Sequence, residues 1–259
     1  MAQPLPLTYL EAGEALGGTP LLVIHGLFGS ARNWATLARR FGERQRVYAL
    51  DLRNHGSSPW APTMSYPEMA DDVLRFLDDR GFRRAVVVGH SMGGKAAMTL
   101  ALNHPERVER LVVVDIAPVA YTHTFQPFVQ AMKRADLTVS NRRSDIEAQL
   151  ADAVPEAPLR SFLLQNLVLE NGAFRWRINL DAIEANMPDL IGFPDLGDRR
   201  YEGPALFIGG AESNYTAPEH MGSIDRHFPT ARVERIPGAG HWVHAEKPDR
   251  FAELVEAFV

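Results

Sequence analysis

Six short runs rich in β-branched residues, five of them wholly apolar, punctuate this chain at residues 21–24, 47–50, 85–88, 111–114, 205–208 and 233–236. Most of them do not alternate between apolar and polar positions. A strand with one wet face must alternate, whereas a strand covered on both faces need not, so the pattern predicts a parallel sheet buried between helices. Residues 33–41, 66–77 and 95–102 place apolar side chains at three- and four-residue steps, as amphipathic helices do. The third of these stops before His104-Pro105, where proline disfavours helix in its predecessor. Residues 248–258 repeat the pattern, with Pro248 suited to a first helical turn. Strand and helix alternating on this scale predict a doubly wound α/β fold, a mostly parallel central sheet flanked by helices.

One interval breaks the rhythm. From residue 118 to residue 200 no run reads as a core strand, and the segment looks helical and proline-punctuated. Phe162, Leu163, Leu164, Leu167, Val168 and Leu169 need burial, which argues against a disordered linker. We expect a helical cap inserted after the run at 111–114, the sixth strand of the expected fold. The expected division is a core of residues 1–117 and 201–259 with a cap, or lid, of residues 118–200.

At 259 residues, 46% hydrophobic and 23% charged, the chain can bury a large core without disulfides or structural metals. Its net charge of −5, with only isolated pairs such as Arg142-Arg143 and Arg199-Arg200, argues against nucleic acid as a partner. The absence of cysteine removes zinc–thiolate sites and a cysteine nucleophile together. No apolar run approaches the ~20 residues of a membrane span, and the amino-terminal residues lack the basic and apolar regions of a signal peptide. The expected location is cytoplasmic.

Directly after the run at 85–88 comes Gly89-His90-Ser91-Met92-Gly93-Gly94, followed by a helical pattern. Gly-x-Ser-x-Gly gains its meaning from this strand–turn–helix setting: a sharp turn exposes the serine hydroxyl above the sheet, at the positive end of the helix. Side chains at Gly89 and Gly93 would collide with neighbouring backbone. Glycines also serve ordinary tight turns, but here suitable partners follow downstream. Ser91 is the candidate nucleophile, and a serine rather than an aspartate at the elbow disfavours an alkyl-enzyme mechanism.

A serine hydroxyl needs an adjacent base. His241, in Gly238-Ala239-Gly240-His241-Trp242 between the last strand and the final helix, is the best placed of nine histidines. Two carboxylates compete for the acid. Asp115 ends the strand at 111–114; Glu212 follows the strand at 205–208, one residue from Ser213, where an aspartate would usually fall. Asp115 is favoured, with a turn or cap carboxylate as its ordinary alternative. The oxyanion needs two preorganised N–H donors. Met92, after the nucleophile, supplies one; Leu27, in His25-Gly26-Leu27-Phe28-Gly29-Ser30, is the expected second, because Gly26 lets that backbone approach.

These blocks, with Asp51-Leu52-Arg53-Asn54-His55-Gly56-Ser57-Ser58, Asp115-Ile116-Ala117-Pro118 and Gly240-His241-Trp242-Val243-His244-Ala245-Glu246-Lys247-Pro248, resemble the YbfF-type bacterial esterases of the α/β-hydrolase superfamily. The mitochondrial α/β-hydrolase-domain relatives also share Trp176-Arg177-x-Asn179-Leu180-Asp181. The resemblance covers nearly the whole chain. It implies a helical cap, a Ser–Asp–His triad and activity on short acyl esters or acyl-CoA thioesters. It also supports Asp115, since the family lacks a reliable acid after the later strand, although Glu212 here keeps that choice open. The loop Arg53-Asn54-His55-Gly56 would face the cleft, unless it simply closes its strand.

The expected function is therefore a serine hydrolase of small, largely apolar acyl esters or thioesters. Phe28, Phe125, Phe128, Phe162 and Trp176 are candidates to line an acyl pocket, although most lid aromatics serve lid packing. Competing readings are a C–C bond hydrolase or lyase of the same fold, for which the lid offers few arginines beyond Arg175 and Arg177, and a hydrolase-derived ligand receptor. No metal or organic cofactor is implied.

Overall fold

A computed structural model describes residues 3–138 and 142–259. Along the chain run β1 (Tyr9–Ala12), β2 (Leu21–Ile24), α1 (Ala35–Phe41), β3 (Val47–Leu50), α2 (Tyr66–Asp79), β4 (Ala85–His90), α3 (Met92–Asn103) and β5 (Val108–Val114). The inserted segment holds α4 (Gln126–Arg134), α5 (Arg143–Leu150), α6 (Ala157–Leu164), β6 (Leu167–Glu170), β7 (Ala173–Trp176), α7 (Leu180–Ala185) and α8 (Met187–Ile191). The chain returns through β8 (Ala205–Gly210), α9 (Met221–His227), β9 (Arg232–Ile236), α10 (Val243–Glu246) and α11 (Pro248–Phe258).

Seven strands form one sheet in the order β1-β3-β2-β4-β5-β8-β9. Only β1 runs antiparallel. Burial on two sides explains the apolar runs of β2, β3, β4, β5 and β8, whereas β9, read with them from the sequence, is an edge strand exposed everywhere but Ile236. Leu22, Ile24, Val87, Leu111, Val113 and Phe207 enter one core, while Leu21, Val23, Val88, Val112, Val114 and Ile208 enter another beneath α1 and α11. Each such side chain withdrawn from water contributes about 1.5–3 kcal/mol before the entropy of ordering is counted. The parallel strands all deliver their carboxyl ends to one edge, and Ser91, Asp115 and the segment after Gly210 collect there. No helix among the described residues is long and apolar enough to cross a membrane.

Three expectations change. Among the described residues the strand preceding the insertion is the fifth along the chain, not the sixth, because a single strand, Tyr9–Ala12, precedes Leu21 there. The segment expected to be helical also contains a hairpin, β6 paired with β7. Its turn is Asn171-Gly172, both with positive φ (51° and 80°), the pairing that two-residue hairpin turns select. Leu169, expected to need burial, lies on that hairpin and is 62% exposed.

Candidate active site

Ser91 sits between β4 and α3 with φ 52° and ψ −119°, a conformation that L-residues avoid. The surroundings impose it. A Cβ at Gly89 would lie 2.3 Å from the Gly93 carbonyl oxygen, and one at Gly93 would lie 2.5 Å from those of Ile24 and His25. Only glycines let strand, turn and helix approach this closely, and the Ser91 N–H is tied to the Val114 carbonyl at 3.0 Å. The hydroxyl stands 3.1 Å from Nε2 of His241. Nδ1 of the same ring lies 2.7 Å from Oδ2 of Asp115, which is fully buried. Asp115 itself adopts a positive φ of 48°, so two residues held in strained backbone flank the imidazole.

The two candidate carboxylates are placed differently. Asp115 meets His241, while Glu212 points to solvent and its backbone N–H donates to the Ala239 carbonyl at 3.0 Å. Ser213, beside it, donates its hydroxyl to Asp115 Oδ2 at 2.5 Å.

Two buried imidazoles brace the loop after β2. His25 donates from Nδ1 to the Gly26 carbonyl (2.8 Å) and accepts the Leu52 N–H at Nε2 (3.1 Å). His55 accepts the Phe28 N–H at Nε2 (3.3 Å) and donates from Nδ1 to the Arg53 carbonyl (3.0 Å). Burial lowers the pKa of both rings, that of His25 against an upward pull from Asp51, and that of His55 to about 3. A Cβ on Gly26 would approach within 3.2 Å of Ser91 Cβ, so the backbone leading to Leu27 passes against the serine. Among the described residues, no backbone or side-chain acceptor takes the N–H of Leu27 or Met92.

A model described as the Alpha/beta hydrolase family matches residues 21–254. The chain belongs to this family. It is 43% identical to the sn-1-specific diacylglycerol lipase ABHD11 of Danio rerio, over 100% of this chain and 84% of that protein. It is 36% identical to the esterase YbfF of Escherichia coli, over 93% of each. Among solved structures, a marine microorganism esterase superposes with a TM-score of 0.94 at 38% identity, over 98% of this chain and 100% of that one. These relatives place the chain among enzymes of the esterase and lipase type.

The hydrolase carries a cavity of about 200 Å³ above Ser91, partly open to solvent and lined by Phe28, Phe125, Phe128, Leu159, Phe162 and Trp242. Four of the five aromatics singled out in the sequence therefore line it. Trp176 does not. It lies on β7, where its indole N–H donates to the Met132 carbonyl at 2.9 Å, and it packs inside the inserted segment. The Arg53 loop does not face the cleft either. Arg53 is buried in a two-pronged pair with Asp72 (2.7 and 2.8 Å), and His55 props the Leu27 loop from behind.

Three contributors escaped the sequence reading. The Tyr215 ring stacks on His241 with centroids 4.1 Å apart and planes at 28°. Burial pushes its phenol up to about 12, and the hydroxyl bonds His123 Nε2 at 2.7 Å. His90, kept neutral chiefly by burial, donates from Nε2 to the His241 carbonyl at 2.9 Å. Ser213 is the third. His90 belongs to the elbow motif and Ser213 stands where an aspartate would usually fall, but the motifs do not give their roles, because each acts through a neighbour distant in sequence.

Proposed function

We propose that this hydrolase cleaves carboxylic esters of small, largely apolar acyl groups, and acyl thioesters by the same route, through an acyl-enzyme on Ser91. The observation that carries the reading is the continuous line Asp115–His241–Ser91, with contacts of 2.7 and 3.1 Å, ending at the floor of an aromatic cavity.

His241 Nε2 takes the Ser91 proton as Oγ attacks the substrate carbonyl carbon. The carbonyl π pair moves to oxygen, and the Leu27 and Met92 N–H groups receive that oxyanion, each worth roughly 3 kcal/mol in the transition state. Asp115 holds Nδ1–H and stabilises the imidazolium without taking its proton. His241 then protonates the departing alkoxide or thiolate as the carbonyl reforms. Water repeats the sequence, and Ser91 regains its proton. Residues 118–200 act as a cap, with Phe125, Phe128 and Phe162 forming the acyl wall. The diacylglycerol lipase activity named for a relative adds glycerol esters to the substrates worth testing.

The test is hydrolysis of p-nitrophenyl esters from two to sixteen acyl carbons, wild type beside Ser91→Ala. Turnover that peaks at short chains and disappears in the variant supports the reading. Turnover that survives in Ser91→Ala ends it. Absence of turnover on every chain favours a C–C hydrolase, a lyase or a receptor.

A further inference from the structure

Lys95 is a buried cation for which acyl transfer has no use. It lies one helical turn beyond Ser91 on α3, its N–H donating to the Ser91 carbonyl at 3.0 Å, and it is 1% exposed. Among the described residues no carboxylate pairs with it. Its ammonium donates instead to the carbonyls of Ile191 (2.9 Å) and Gly192 (2.5 Å) at the end of α8. It stands over the rings of Tyr121 and Tyr66, at 4.8 and 5.6 Å. Burial opposes its charge and pulls it down to about 7. An apolar side chain of similar length would avoid that desolvation, so the position calls for a role other than packing.

The carbonyls it holds lie where the inserted segment rejoins the core, and Tyr121 lies where that segment leaves it. The two straps are zipped together here: the Tyr121 N–H donates to the same Ile191 carbonyl at 2.9 Å. The Tyr66 hydroxyl donates to the adjacent Leu190 carbonyl at 2.6 Å. From this junction a chain of contacts runs to the catalytic imidazole. The Tyr121 hydroxyl accepts the Ala117 N–H at 2.9 Å and donates to the Tyr215 carbonyl at 2.7 Å. The Tyr215 ring lies flat on His241.

We infer that Lys95 is a positioning residue that clamps both straps of the inserted segment and, through Tyr121 and Tyr215, keeps the His241 ring within reach of Ser91. The inference rests on the acyl-transfer reading above. It predicts that the ammonium matters to turnover more than to stability. Small misplacements of a catalytic base are costly even when folding is unaffected.

The experiment compares wild type, Lys95→Met, Tyr121→Phe, the double variant and Ser91→Ala, measuring kcat, KM and the thermal midpoint with a short p-nitrophenyl ester. Lys95→Met should keep or raise the midpoint while kcat falls about tenfold and KM stays within about twofold. Tyr121→Phe should lower kcat in the same way, and the double variant should be little worse than the weaker single, as expected for residues acting in series. Wild-type kcat in folded Lys95→Met, or losses that multiply in the double variant, would overturn the inference. If Lys95→Met does not fold, unchanged kcat in Tyr121→Phe overturns it equally. Turnover surviving in Ser91→Ala would instead refute the acyl-transfer reading, a separate outcome.

Discussion

Ser213 donates its hydroxyl to Oδ2 of Asp115 at 2.5 Å, the same oxygen that lies 2.7 Å from Nδ1 of His241. The other carboxylate oxygen accepts the Gly210 N–H at 3.0 Å. A carboxylate with no exposure to water thus has its hydration replaced by fixed donors, which also aim it. Removing one should loosen that aim. A hydrogen bond to a charged group is worth ~1.5–3 kcal/mol, so Ser213→Ala should lower kcat by roughly one to two orders of magnitude with little change in KM. Steady-state kinetics on a short acyl ester checks this, and wild-type kcat would refute it.

The choice of acid separates cleanly by substitution. Asp115→Asn should cost about 10⁴ in kcat, because an amide can donate to Nδ1 and select the wrong imidazole tautomer. Glu212→Gln, at an exposed position, should behave as wild type. Equal losses in both would mean that the geometry of the line Asp115–His241–Ser91 does not carry the chemistry.

Cavity length should set chain preference. Phe162 is half-buried against Trp242, with ring centroids 5.9 Å apart, at the wall of the cavity. Truncation to alanine in Phe162→Ala opens space there and should move the optimum of the acyl-chain series toward longer esters. An unchanged profile, measured as kcat/KM for each chain, would remove Phe162 from the acyl wall.

Acid should destabilise the fold through its buried histidines. Burial holds His55 and His244 near about 3, far below the ordinary 6.5 that they regain on unfolding. Between those values the unfolded chain binds protons that the folded chain does not, so stability is full above 6.5 and falls as pH drops toward 3. Each histidine contributes up to about 1.4 kcal/mol per pH unit across that window. Urea unfolding at pH 7.5, 6 and 5 should show the decline, and His244→Gln should lessen its slope by about one proton's worth. A pH-independent midpoint would contradict it.

The pair between Arg53 and Asp72 should be structural rather than catalytic. Both side chains are buried and joined by two hydrogen bonds. Asp72→Ala removes the fully buried partner and leaves the guanidinium only Glu68, at 3.2 Å, and breaking such a buried pair typically costs ~3–5 kcal/mol. Denaturant unfolding should register that loss. A change below about 1 kcal/mol would show the pair to be dispensable.

What the amino-acid order settled by itself was everything decided by neighbours in the chain. Unbroken apolar runs specified two-sided strands, and the glycines around Ser91 specified a turn that only glycine can make. The hairpin is encoded by Asn171-Gly172, although the apolar residues flanking it carry no clear strand alternation. Tertiary structure decided the rest, because those contacts join residues far apart in sequence. Asp115 directly follows β5 and Glu212 lies two residues past β8, and no sequence motif distinguishes them. The packing of β5 beside β8 brings Asp115, 126 residues from His241, under the imidazole and leaves Glu212 in water. The same holds for Tyr215 against His241, and for Lys95, whose partners lie 96 and 97 residues away. Trp176 and Phe162 are both aromatics of the inserted segment, and only the direction in which each packs makes one a wall of the cavity and the other part of the segment's own core.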